Sequence, residues 1–245
     1  MTYGSTESFV QDVIRYQDSR MRHQPNAMLD KADGILQLSS LVALRALVPH
    51  FFDQTSRHGP FVLSLVDMHQ ANIFVDDDCN IVGLIDLEFA PVGPIHVTRV
   101  PNWLTDRAID DMKSSNLDEF KAQYDEFVST LEDEEALQGQ DSSYSQRLRE
   151  DWQTGRFWYL IALASINAFP AIFRDHLYSK FFKGRIDANS NVGALAQLWD
   201  EDVDGFITGK LEDYERYKRE IGNIFAAARA REVKSKDNGT VTDKE

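Results

Sequence analysis

Cysteine is almost missing, since Cys79 is the only one in 245 residues. A lone thiol closes no internal disulfide. That excludes a disulfide-stapled scaffold and fits a reducing compartment, so a cytoplasmic protein is expected. Positive charge is also short: Lys and Arg total 26 against 40 Asp and Glu, a formal net charge of −14. A surface of that sign repels phosphate backbones, so nucleic acid is not an expected partner. The same surface attracts metal ions and cationic small molecules. The longest apolar stretch, Phe157 to Phe173, is broken by Ser165, Asn167 and Pro170. It is too short and too polar to span a bilayer, and no membrane partner is expected. The first residues, MTYGSTESFVQDVIRYQ, carry neither a basic n-region nor an apolar h-region, so they do not read as a signal peptide.

What remains is an ordinary globular composition, 42% hydrophobic and 27% charged. At roughly 150 residues per domain the chain makes one large domain or one and a half, enough for a sizeable core. Thr6 to Arg22 reads as an amphipathic helix, with Phe9, Val10, Val13 and Ile14 on one side. After Pro25, a second helix over about Lys31 to Phe52 is apolar nearly all round and should be buried. Beyond His58-Gly59-Pro60 the pattern changes to short strands: Phe61–Val66, Ile73–Val75 and Ile81–Ile85. Asp76 to Asn80 is a polar hairpin turn between the last two. The strands are apolar at consecutive positions, which predicts that both faces are covered. Asp106 to Glu150 is acidic, and Glu132 to Glu135 reads as a solvated linker. A long aromatic helix is expected over about Ser143 to Phe169, ended or kinked by Pro170. Further helices are expected over Val192–Asp200 and Tyr214–Ala230, then a disordered polar tail over 231–245. The fold class is α+β and mainly α, with helices around a small β-hairpin.

The chemistry concentrates in Leu65-Val-Asp-Met-His-Gln-Ala-Asn72 and in Ile85-Asp-Leu-Glu88. If the turn centres near Asp78 and Cys79, antiparallel pairing sets position 72 opposite 85 or 86. Asn72 and Asp86 then meet at the open end of the hairpin, and Asp67 reaches the same end through a four-residue loop. One amide oxygen and two carboxylates make a hard-oxygen site. It suits Mg²⁺ that keeps some waters and shares substrate phosphates.

This segment resembles the catalytic and metal-binding loops of the aminoglycoside phosphotransferase and choline-kinase-like family, which has a protein-kinase-like fold. The shared pattern is an Asp, an Asn five residues later, a short hairpin and Ile-Asp-x-Glu. Here these are Asp67, Asn72 and Ile85-Asp86-Leu87-Glu88. The resemblance is close from about Phe61 to Thr105, looser to about Phe182, and includes Trp103-Leu104 after the Asp-x-Glu motif. It implies transfer of the γ-phosphate of ATP or GTP to a hydroxyl of a small molecule, with Mg as cofactor. Asp67 becomes the catalytic base, and Asn72 and Asp86 become the metal and nucleotide ligands. His69 and Glu88 become candidates for phosphate or substrate contact, beside plainer roles as a packing or capping histidine and a structural hydrogen-bond partner.

Two departures accompany the resemblance. Leu65 stands where the family usually has a loop-supporting His. In the 66 residues before Asp67 there is no Gly-rich phosphate loop and no strand carrying a nucleotide-binding Lys, since Lys31 lies in a helical stretch. The chain therefore reads as a C-terminal lobe without its N-lobe. Residues 1–58 are a helical lead-in, 59–105 the catalytic and metal-binding hairpin, and 106–230 a helical acceptor side. A catalytically inactive, pseudokinase-like binding or regulatory module is the alternative. An exposed apolar patch for self-association, or for an N-lobe partner, is expected either way.

The weaker signals read as structure. Asp76-x-Asp78-x-Asn80 imitates an EF-hand start, but Ile81 and Leu87 stand where that loop needs Gly and Glu. Gly205 to Gly209 reads as a turn or a helix end.

Overall fold

The computed structural model describes residues 3–52, 57–183 and 192–239. The chain is mainly helical, with two small antiparallel sheets, as its composition and periodicity imply. Helix α1 (Thr6–His23) starts where the Ser5 hydroxyl accepts the Ser8 amide. Helix α2 (Lys31–Phe51) starts where Asp30 accepts the Asp33 amide. Each side chain satisfies an amide that has no partner within its helix. Among the described residues, α2 alone is long and apolar enough to cross a membrane, a property that the apolar-run reading missed. It is the central core helix, packed against α1 and several of the later helices.

Strand β1 (Phe61–Leu63), the β2 (Ile73–Val75) and β3 (Ile81–Leu84) hairpin, and β4 (Val92–Pro94) follow. The β2–β3 pair is the expected hairpin, whereas β4, which pairs with β1, has no counterpart in the sequence reading. The expectation that both strand faces are covered is overturned. Ile81 and Val82 are each 65% exposed, and Phe74, Val75, Leu63 and Val92 are open as well. Consecutive apolar positions place one side chain on each face, and among the described residues no helix packs closely over either sheet.

Helix α3 (Ser114–Leu137) runs straight through Glu132–Glu135, so that stretch is not a linker. Glu135 is buried, and its two carboxylate oxygens accept the Tyr144 and Ser145 amides (3.2 Å each) at the start of α4 (Ser143–Thr154). The single aromatic helix expected over Ser143–Phe169 is two helices. Gly155, with φ of +86°, closes α4 and opens α5 (Arg156–Ala164) in a left-handed conformation that favours glycine. Phe157 to Leu163 of α5 are all buried, and the Tyr159 hydroxyl donates to the Leu44 carbonyl of α2 (3.0 Å). Pro170 lies inside the first turn of α6 (Phe169–Ile172), a position that leaves no helical hydrogen bond unmade. A π-helical turn over Phe173–Leu177 and α7 (Tyr178–Phe181) complete that layer.

Residues Val192–Leu198 form 3₁₀ turns against α2. The last helix, α8, spans Val203–Gly239 and is far longer than expected. Gly205 and Gly209 lie in its first two turns, and its backbone continues through the stretch read as a disordered tail. The rest of that stretch, 240–245, lies outside the described residues. The close approach of α8 to α2 depends on Gly34. A Cβ there would stand 2.9 Å from Met28 Sδ and 3.3 Å from the Ile207 side chain.

Candidate functional site

The hairpin register sets the site. Ile73 pairs with Leu84, and the Ile85 amide donates to the Asn72 carbonyl (3.1 Å), so Asn72 stands opposite Ile85 and one step from Asp86. The turn holds this register. Asp76 accepts the Asp78 and Asn80 amides at 3.0 and 2.8 Å and the Asn80 side chain as well, while Cys79 takes φ of +64°. Those hydrogen bonds, from the Asn80 side chain first, hold the Asp76 carboxyl below its ordinary pKa.

The β1–β4 ladder continues past its last strand residues. The Ser64 amide donates to the Pro91 carbonyl (3.0 Å) and the Val66 amide to Phe89 (3.3 Å). Asp67 and Glu88 each lie in a turn just beyond this last bond. The segment from Ile85 to Phe89 therefore closes both ends of the Asp67–Asn72 loop, through the Asn72–Ile85 and Val66–Phe89 bonds. Asp67, Asn72 and Asp86 lie along this closed segment at one end of the two sheets, and Glu88 lies in the turn that follows.

Inside the loop, the Asn72 side-chain amide donates to the Asp67 carbonyl (3.2 Å), which turns the amide oxygen away from that bond. His69 Nδ1 accepts the Ala71 amide (3.2 Å), so a neutral ring carries its proton on Nε2. The ring also lies 6.2 Å from Trp103, centroid to centroid. His69 thus caps a short turn and packs. Asp86 has φ of +62°, a sparsely populated region for a residue with a Cβ, and such strain gathers at working sites. Asp67, Asp86 and Glu88 are exposed, and Asn72 is half-buried.

A cavity of about 440 Å³ lies against the loop, lined by Asp67, His69, Asn102, Trp103 and Arg107 among others. Arg107 pairs with Glu119 at 3.5 Å and was not anticipated. Its only signal is that it is the one cation between Asp106 and Asp110–Asp111. Two arginines fasten the segment between β4 and this cavity to the helices. Arg147 donates to Thr98 Oγ1 (2.8 Å) and Arg156 to the His96 carbonyl (3.0 Å), and both pair with the buried Asp151. Burial pushes the Asp151 carboxyl up to about 6, against the pull of Arg147 and Arg156.

Among the described residues no three His, Cys, Asp or Glu side chains converge as a metal cage. The oxygens on offer are the Asn72 amide and the Asp86 carboxylate. That set fits a hydrated Mg²⁺ completed by phosphate oxygens better than a metal enclosed by protein ligands. No protein-family model, no curated protein and no solved structure matches the chain.

Proposed function

We propose that this chain is a catalytic lobe of the aminoglycoside phosphotransferase type within a protein-kinase-like fold, acting on a hydroxyl of a small molecule with ATP or GTP as phosphoryl donor. One observation carries the reading. The paired hairpin and ladder bring Asp67, Asn72 and Asp86 to one sheet end, with Asp86 held in a left-handed conformation. Asn72 and Asp86 would hold Mg²⁺, which when bound neutralises charge on the nucleotide phosphates. Asp67 is free of side-chain ion pairs among the described residues and borders the cavity. Its carboxylate accepts the hydroxyl proton as the acceptor oxygen bonds to the γ-phosphorus. The bond from that phosphorus to its bridging oxygen breaks, and a nucleoside diphosphate leaves. His69 shapes the loop through its cap, and Glu88, two residues on from Asp86 and exposed, would orient substrate. The open apolar faces of the two sheets support association with a second copy or with a nucleotide-binding lobe.

A binding or regulatory module without turnover is the second reading. It is favoured by the cavity at Asp67, which no lysine lines and whose arginine, Arg107, is engaged by Glu119. Both readings place the metal on the same residues and differ in turnover. Manganese binding followed by electron paramagnetic resonance, with ATP present, tests the shared part. Asn72→Ala and Asp86→Ala should each weaken binding about tenfold or more, and Asp67→Asn should leave it nearly unchanged. Unaltered binding in Asp86→Ala would remove the metal from this site.

A further inference from the structure

A second and larger cavity, about 850 Å³, opens beside the first and shares Val66, Met68, Asn102 and Trp103 with it. Its volume falls in the range of small-molecule sites. Its walls are mostly apolar. Phe9 and Val13 of α1, Leu63 of β1, and Leu160 and Leu163 of α5 are among the residues that line it. Among the described residues only two charged side chains line it, Glu135 and Arg99. Glu135 is committed, because both its oxygens accept amides at the start of α4. The neighbouring Arg147 is committed to Thr98 and Asp151.

Arg99 differs from both. Its pKa is lowered by burial alone, with no hydrogen bond or opposite charge to compensate. No ion pair within the described residues reaches it. The side chain is half-buried on the cavity wall, and an anion entering the cavity would give its guanidinium the opposite charge that it lacks. The apolar walls set the rest of the ligand.

We infer that this cavity is a binding site for a small organic carboxylate with an apolar body, its carboxylate on Arg99 and its body among Leu63, Leu160 and Leu163. The site stands independently of the chemistry assigned to Asp67. It takes an anion in spite of the net negative charge of the chain, because the local unpaired charge is positive.

Octanoate and the neutral 1-octanol are suitable probes, since they share an apolar chain and differ at the head. Isothermal titration calorimetry of the full chain at low salt should show octanoate binding at least about tenfold tighter than octanol. Arg99→Gln should bring octanoate down to the level of octanol and leave octanol where it was. Arg99→Lys should restore part of the preference. Ala164→Trp, on an exposed residue at the cavity rim, should block both probes without touching the core. Equal binding of the two probes to the unaltered chain would overturn the inference. So would a preference that survives Arg99→Gln, octanoate binding that survives Ala164→Trp, or no octanoate binding at all.

Discussion

His176 lies flat against Trp158, with ring centroids 3.6 Å apart and planes 3° from parallel. Burial brings its pKa from 6.5 down to about 4, with Asp175 opposing and Lys113 assisting. The folded chain therefore holds the neutral ring, and the unfolded chain takes up the proton more readily. Stability from this group is complete above pH 6.5 and is lost as pH falls toward 4. Allowing for solvent screening of a partly exposed ring, the loss is about 2 kcal/mol. His176→Phe keeps the stack and removes the proton site. In urea titrations the stability difference between the two chains should change across that window and be flat above it. Parallel pH curves would contradict this. At this scale the sequence was uneven. That Asn72 stands next to Asp86 could be read from spacing, because the hairpin register is local. The burial of His176 and the solitude of Arg99 depend on what folds over them from distant segments.

Among the elements, the β2–β3 hairpin was legible because its determinants are local: an apolar run, a five-residue polar turn from Asp76 to Asn80, and a second apolar run. The pairing of β1 with β4 was not, since it joins segments about thirty residues apart and β4 contains glycine and proline. The acidic stretch of α3 shows the same limit. Glu132 and Glu135 look alike in sequence, yet Glu132 pairs with Arg149 at the surface while Glu135 is buried as the cap of the next helix. Glu135→Gln can accept only one of the two amides and sets an amine against the other. It should cost about 1–2 kcal/mol, with Glu132→Gln near zero. Thermal melts of the two variants at neutral pH compare them directly, and equal effects would refute the capping role.

Across the whole molecule the helical core is closed while the sheets that carry the site stay open. Helix α2 is covered by α1, α5 and α8, and the Asp151 pairs with Arg147 and Arg156 anchor the chain leading out of β4. A closed helical base thus carries the exposed strands, the two adjoining cavities and the Asp67–Asn72 loop. The central claim is that Asn72 and Asp86 form a Mg²⁺-dependent nucleotide site. Thermal unfolding of the purified chain with ATP and with GTP, with and without Mg²⁺, tests it most directly. Ligand at 100 times its Kd stabilises the folded state by about 2.7 kcal/mol, a readily measured rise in melting temperature. The rise should require Mg²⁺ and vanish in Asp86→Ala. No rise with either nucleotide, or a rise that persists in Asp86→Ala, would contradict the claim.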